Sequence, residues 1–115
     1  MSGARGEGLR RVEKEIASEK AAALGRAGER LEHAMAETRA LAARLLGAGA
    51  AKGDTDAAER ERLVEAYAVA RQRTLQARLA LLIQREALGL RRHATVDQQF
   101  PEPPAVSDLL RRGRF

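Results

Sequence analysis

The sequence predicts an all-α protein: a long antiparallel helical hairpin with a short C-terminal helix or extended tail, dimerising into a four-helix bundle. Three observations predict it. Alanine, leucine, arginine and glutamate dominate the 115 residues, which is the composition of long helices and coiled coils. Apolar residues recur at spacings of three, four or seven through two long stretches. A Gly- and Asp-containing segment, LGAGAAKGD, separates them, and matched helices joined by a short loop pack antiparallel.

Residues 1–8, MSGARGEG, have no apolar signal core and read as a disordered start. The first helix is expected over 9–46. Its stripe is Leu9, Ile16, Ala17, Leu24, Ala27, Leu31, Ala34, Met35, Ala42 and Leu45, interrupted by Glu13, Lys20 and Thr38. Gly47 suits the position after a helix because it tolerates positive φ. The loop is expected over 47–56. The second helix is expected over 57–92, with Asp56 capping its free N–H groups, Glu59 completing a capping-box-like pair, and Gly89 as a possible terminator. At 1.5 Å per residue each helix is about 50–57 Å long. Residues 93–115 form a tail in which Pro101, Pro103 and Pro104 force extended backbone. A short helix over 105–112 would present Val106, Leu109 and Leu110.

The second helix is apolar on two faces. Val64, Ala68, Leu75, Leu79 and Leu82 form one; Leu63, Tyr67, Ala70, Ala77, Leu81 and Leu88 form the other. One partner helix covers only one of them, and two helices alone bury little surface. With only three aromatic residues, Tyr67, Phe100 and Phe115, a thick globular core is excluded. A homodimer follows, with the face from Leu63 to Leu88 as its packing or dimer seam.

Charge is unevenly placed. The chain carries +5, and between Ala66 and Val96 there are six arginines (71, 73, 78, 85, 91 and 92) against one acid, Glu86. That segment alone therefore holds a net charge equal to the whole. Four of those arginines (71, 78, 85 and 92) repeat every seventh residue, so they form one row along the helix. In a hairpin turning near residues 51–52, Arg71 faces the neighbourhood of Glu32, Arg85 that of Glu19 and Arg92 that of Glu13. Arg78 faces Gly25, with Glu29 a turn away. The row then fixes register through interhelical ion pairs. Alternatively Arg71, Arg78, Arg85, Arg91, Arg92 and His93 bind an anion or an acidic partner, Arg78 first because no acid faces it.

Gly25 and Gly28 lie inside the first helix, where each costs about 1 kcal/mol relative to alanine; close packing of a neighbouring helix would justify them. His33 reads as solvated. His93 follows the second helix and either bonds its last carbonyls or pairs with Asp97. Two such ligands are too few for a metal site, and no metal or cofactor is expected. There is no cysteine, which removes thiol chemistry and disulfides and fits a reducing compartment. No apolar run is long enough to span a membrane. No nucleophile–base set and no phosphate-binding glycine loop are present, so an enzyme is not expected.

The stretches EKAAALGRAGERLE (19–32) and IQREALGLRRHATV (83–96), followed by Phe100 and a proline segment, resemble a family of small uncharacterised bacterial helical proteins, a domain of unknown function. Its members carry an ALGRAG-type stretch in the first helix and a QREA(C)GLR-x-H stretch at the end of the second. Leu88 stands where cysteine is common in that family, and the proline segment is denser here. The resemblance covers most of the chain. It implies a bacterial, cytoplasmic helical protein and brings no activity with it.

The functional expectation is a small non-catalytic helical protein that acts through homodimerisation and protein–protein contacts. A protein partner would meet the second helix or the tail. The tail itself either folds back over the open end of the bundle or docks onto that partner. The alternative is non-sequence-specific binding of nucleic acid or an anionic ligand through the arginine-rich second helix, which would be salt-sensitive. The lack of aromatics among the basic residues counts against single strands.

Overall fold

The structure, a computed structural model, describes residues 3–50 and 57–113, with side chains from 6–47 and 57–113. All of its regular structure is helical: α1 (Gly3–Ala50), α2 (Ala57–Ala87), α3 (Ala94–Gln99) and α4 (Val106–Arg112). α1 and α2 are antiparallel, because Leu24 and Ala27 pack near Ala77, Leu81 and Leu82 while Leu41, Ala42 and Leu45 pack near Leu63, Val64 and Tyr67.

The two long helices stand where periodicity put them, but their limits differ. α1 begins at Gly3 rather than Leu9, so the expected disordered start is helical from that point, and it continues through Gly47 to Ala50. Propensity explains this: single glycines in an alanine- and leucine-rich run weaken a helix without ending it. The expected cap Asp56 and most of the loop lie outside the described residues. α2 ends at Ala87, not 92. There the amide of Leu90 donates to the Arg85 carbonyl and that of Gly89 to the Glu86 carbonyl, each at 2.9 Å. Gly89 has φ +84°. This is the Schellman arrangement, which requires a left-handed residue and so favours glycine. The chain reverses at this point, and that sets up everything after it.

The tail folds back along the hairpin. α3, which the sequence did not announce, places Val96 in a cluster with Ala27, Leu31 and Leu81, with Phe100 beside it. α4 places Leu109 in a second cluster with Leu45, Leu63 and Tyr67, with Val106 and Leu110 beside it. Both clusters draw on α1, α2 and the tail. The third layer of this protein is thus its own C-terminus, and the face from Leu63 to Leu81 is internal. Leu63, Tyr67, Ala70 and Leu81 are buried within one chain, Ala77 packs against the first cluster, and only Leu88 is exposed. That face packs within the chain, against α1 and the tail.

Between the two clusters sit Thr38 and Thr74, both fully buried. Their hydroxyls are 2.8 Å apart, and each also lies within about 3 Å of the carbonyl four residues earlier, Ala34 for Thr38 and Ala70 for Thr74. The residue that interrupted the apolar stripe is therefore half of a buried polar pair across the helices. It also dates the register. A hairpin turning near residues 51–52 would set Thr74 opposite Glu29, so Thr38 opposite Thr74 is a slide of nine residues along α1. The register that set the arginines opposite glutamates is the one displaced.

Gly25 and Gly28 do not mark a close approach within the chain. A Cβ built at either would meet nothing within 4 Å. Gly25→Ala and Gly28→Ala should each raise stability, by about 1 kcal/mol from helix propensity, measured as a higher urea midpoint. A lowered midpoint would show a packing demand that this arrangement does not contain.

Candidate functional site

The arginine row lies along the groove that receives the tail. Arg71 Nε donates to the Pro103 carbonyl at 2.9 Å. Arg78 Nε donates to the Phe100 carbonyl at 2.9 Å, while its two terminal nitrogens pair with Asp97 and, at 3.6 Å, with Glu102. Arg85 reaches the Arg92 carbonyl at 3.0 Å and Nδ1 of His93 at 3.4 Å. One turn before Arg71, the Tyr67 hydroxyl donates to the Pro104 carbonyl at 2.6 Å. Read from Arg85 back to Tyr67, the acceptors advance from residue 92 to residue 104. The row works as a series of clamps on an antiparallel strap.

Each clamp has a local cause. Arginine stems lie along apolar surface while the guanidinium reaches the rim. Proline has no N–H, and a backbone of this conformation makes no ladder of its own. Its carbonyls need outside donors, and a guanidinium offers five in a fixed fork. Arg78, whose side chain is 12% exposed, is therefore the most occupied member of the row and not its free one. Among the described residues no ion pair joins α1 to α2; contacts with the tail replace the expected pairings of Arg71 with Glu32 and Arg85 with Glu19, and Arg92, beyond the end of α2, makes none with Glu13. Arg91 and Arg92 are exposed; Arg92 contributes its carbonyl.

His93 joins the clamp at the reversal. Its Nε2 lies 3.2 Å from Glu86 Oε1, and Arg85 donates toward Nδ1. A neutral imidazole with its proton on Nε2 satisfies both neighbours. Asp97, its expected partner, is held by Arg78 instead. Among the described residues no three metal-binding side chains converge.

Where the strap crosses α1 it leaves a cleft of about 460 Å³, lined by Met35, Arg39, Glu102 and Arg112, among others. Tyr67 forms part of its wall. Burial pushes the Tyr67 phenol above its ordinary value of 10.0, against the opposing pull of the Arg71 and Arg112 cations. The neutral phenol is the form the fold prefers. A raised value means the contribution to stability is whole below the ordinary phenol range and is lost as pH rises through the folded value. Unfolding followed by urea should therefore weaken at strongly alkaline pH. The loss should shrink in Tyr67→Phe. Because Tyr67 is the only tyrosine, phenolate absorbance reports the ionisation directly.

Sequence reasoning found the row and missed its acceptors, because a backbone carbonyl has no letter of its own. The available signal was the coincidence of heptad-spaced arginines with a proline segment short of internal donors. No helix among the described residues is long and apolar enough to cross a membrane. Compared with known proteins, the chain matches no protein-family model, no curated protein and no solved structure.

Proposed function

We propose that this is a non-catalytic, cytoplasmic helical protein that acts by homodimerisation and by contacts with another protein, as its likeness to the small bacterial helical family also suggests. One observation carries the reading. After the tail has folded in, large apolar side chains still face outward, the most exposed of them in two groups. On α1 these are Leu9, Val12 and Ile16, which are 61%, 50% and 47% exposed. Leu9 and Ile16 stand five turns before the buried Ala27 and Ala34, so the inner stripe of α1 runs on past the end of α2. On α2 they are Val69, Leu79 and Ile83, which are 47%, 59% and 55% exposed. Apolar patches of this kind mark interaction surfaces.

Light scattering at tens of micromolar should return twice the chain mass; a monomer there rejects the dimer. The nucleic-acid reading rests on fewer cations than the sequence suggested, since Arg71, Arg78 and Arg85 are engaged by the tail. Arg73, Arg91 and Arg92 remain exposed. Labelled nucleic acid should show no binding at low salt. Binding that falls steeply as salt rises would favour that reading instead.

A further inference from the structure

We infer that the outward face of α2 is where two copies of this chain meet, antiparallel, with Val69 against Leu79 of the second copy. This rests on the homodimer proposed above and names its surface and register.

The face lies on the side of α2 away from the core. Ala68, Val69, Gln72, Gln76, Leu79, Ala80 and Ile83 fall within one sector of the helix, and all but the half-buried Ala80 are exposed. In a chain that is 32% charged, a run of seven positions on an outward helix face carries no charge. Ordinary solvated faces are not built so; loss of charge with retention of large apolar groups is the mark of an interface centre. The tail does not reach this side, because its clamps, Arg71, Arg78 and Arg85, stand on the flank next to the core.

The middle of the face, residues 68–80, matches itself when reversed. A two-fold dimer needs a self-complementary patch. Laid antiparallel, Val69 meets Leu79, Gln72 meets Gln76 and Ala68 meets Ala80, each pair occurring twice. At the ends of the same alignment Arg62 meets Glu86, both exposed. Over residues 68–80 apolar thus faces apolar, amide faces amide and small faces small; beyond them Ile83 meets Glu65, and at the ends cation faces anion. Side-chain amides can donate and accept to each other, so the central glutamines satisfy one another and fix the register, as a polar residue does in a coiled-coil seam. An anionic membrane surface is a poorer occupant, because acids, Glu65 and Glu86, lie at both ends of the stripe.

Two measurements test this. Leu79→Glu should weaken self-association by more than about tenfold in sedimentation equilibrium, with helicity and protease resistance of the tail unchanged. The chain has no cysteine, so Gln72→Cys and Gln76→Cys can be prepared separately. Mixed, they should form a disulfide-linked pair faster than either alone, because the antiparallel register brings those two positions together. If the unmodified chain is a monomer at tens of micromolar, the homodimer falls and this surface with it. If the chain dimerises but Leu79→Glu dimerises equally well, the dimer stands and this face is overturned. If Leu79→Glu dissociates but the mixed cysteines oxidise no faster than the separate ones, the antiparallel register is overturned.

Discussion

Arg78→Met should release the tail without unfolding the hairpin. The substitution keeps most of the apolar stem and removes the donor to the Phe100 carbonyl and the charge facing Asp97 and Glu102. Hydrogen bonds to charged groups contribute roughly 1.5–3 kcal/mol each. Asp97 and Glu102 are themselves well exposed, which screens the ion pairs and leaves neither carboxylate buried alone. A net loss of about 2 kcal/mol in tail docking is expected, concentrated on the backbone bond. That corresponds to roughly a thirtyfold rise in the fraction of chains with the tail open. Limited proteolysis reads this directly: cleavage within residues 98–104 should accelerate, while the hairpin fragment persists. Arg91→Met is the control, since Arg91 is exposed and no clamp uses its side chain. Equal cleavage rates in the two variants would show that the row does not hold the strap.

The same clamp explains why part of this fold was legible and part was not. α1 and α2 announce themselves because their stripes keep the helical period over many turns, and length makes such a signal robust. Gly89 was readable as a terminator because a left-handed residue leaves a recognisable letter. Register left no comparable mark. Apolar stripes that repeat over many turns fit one another at more than one offset, and the Thr38–Thr74 pair marks the offset this chain adopts. A lone threonine in an apolar stripe reads as a flaw until its partner is known. α3 is shorter than two turns and holds its place through Val96 and the Arg78–Asp97 pair, so local propensity had little to say about it. The heptad spacing of arginines was legible as a row but not as a strap, because ion pairs are inferred from letters and backbone acceptors are not.

Two long helices bury too little surface to stand alone, and a second copy was one way to supply the missing layer. The tail supplies it within a single chain, through Val96 and Leu109 in the two clusters. Self-association is therefore no longer needed to complete the core. It is argued instead from a face the core does not use.

A chain ending at Arg92 tests that account with the largest effect. Truncation removes Val96 and Leu109, both nearly fully buried, and the flanking Phe100, Val106 and Leu110. Full burial of one such side chain is worth about 1.5–3 kcal/mol, so the two buried ones alone account for roughly 3–6 kcal/mol. A small domain has only about 5–15 kcal/mol in total. The truncated chain also loses every acceptor of Tyr67, Arg71 and Arg78 and uncovers the Leu31–Leu81 and Leu45–Tyr67 clusters. Its helical circular dichroism should fall well below that of the full chain at the same temperature, and its urea transition should become broad or vanish. Leu109→Ala should move in the same direction by about 2–5 kcal/mol, with the strap still tethered at Arg78. If the truncated chain unfolds at the same urea concentration as the full one, the tail is an appendage. The hairpin would then have to draw its stability from a second copy, across the α2 face that carries Val69 and Leu79.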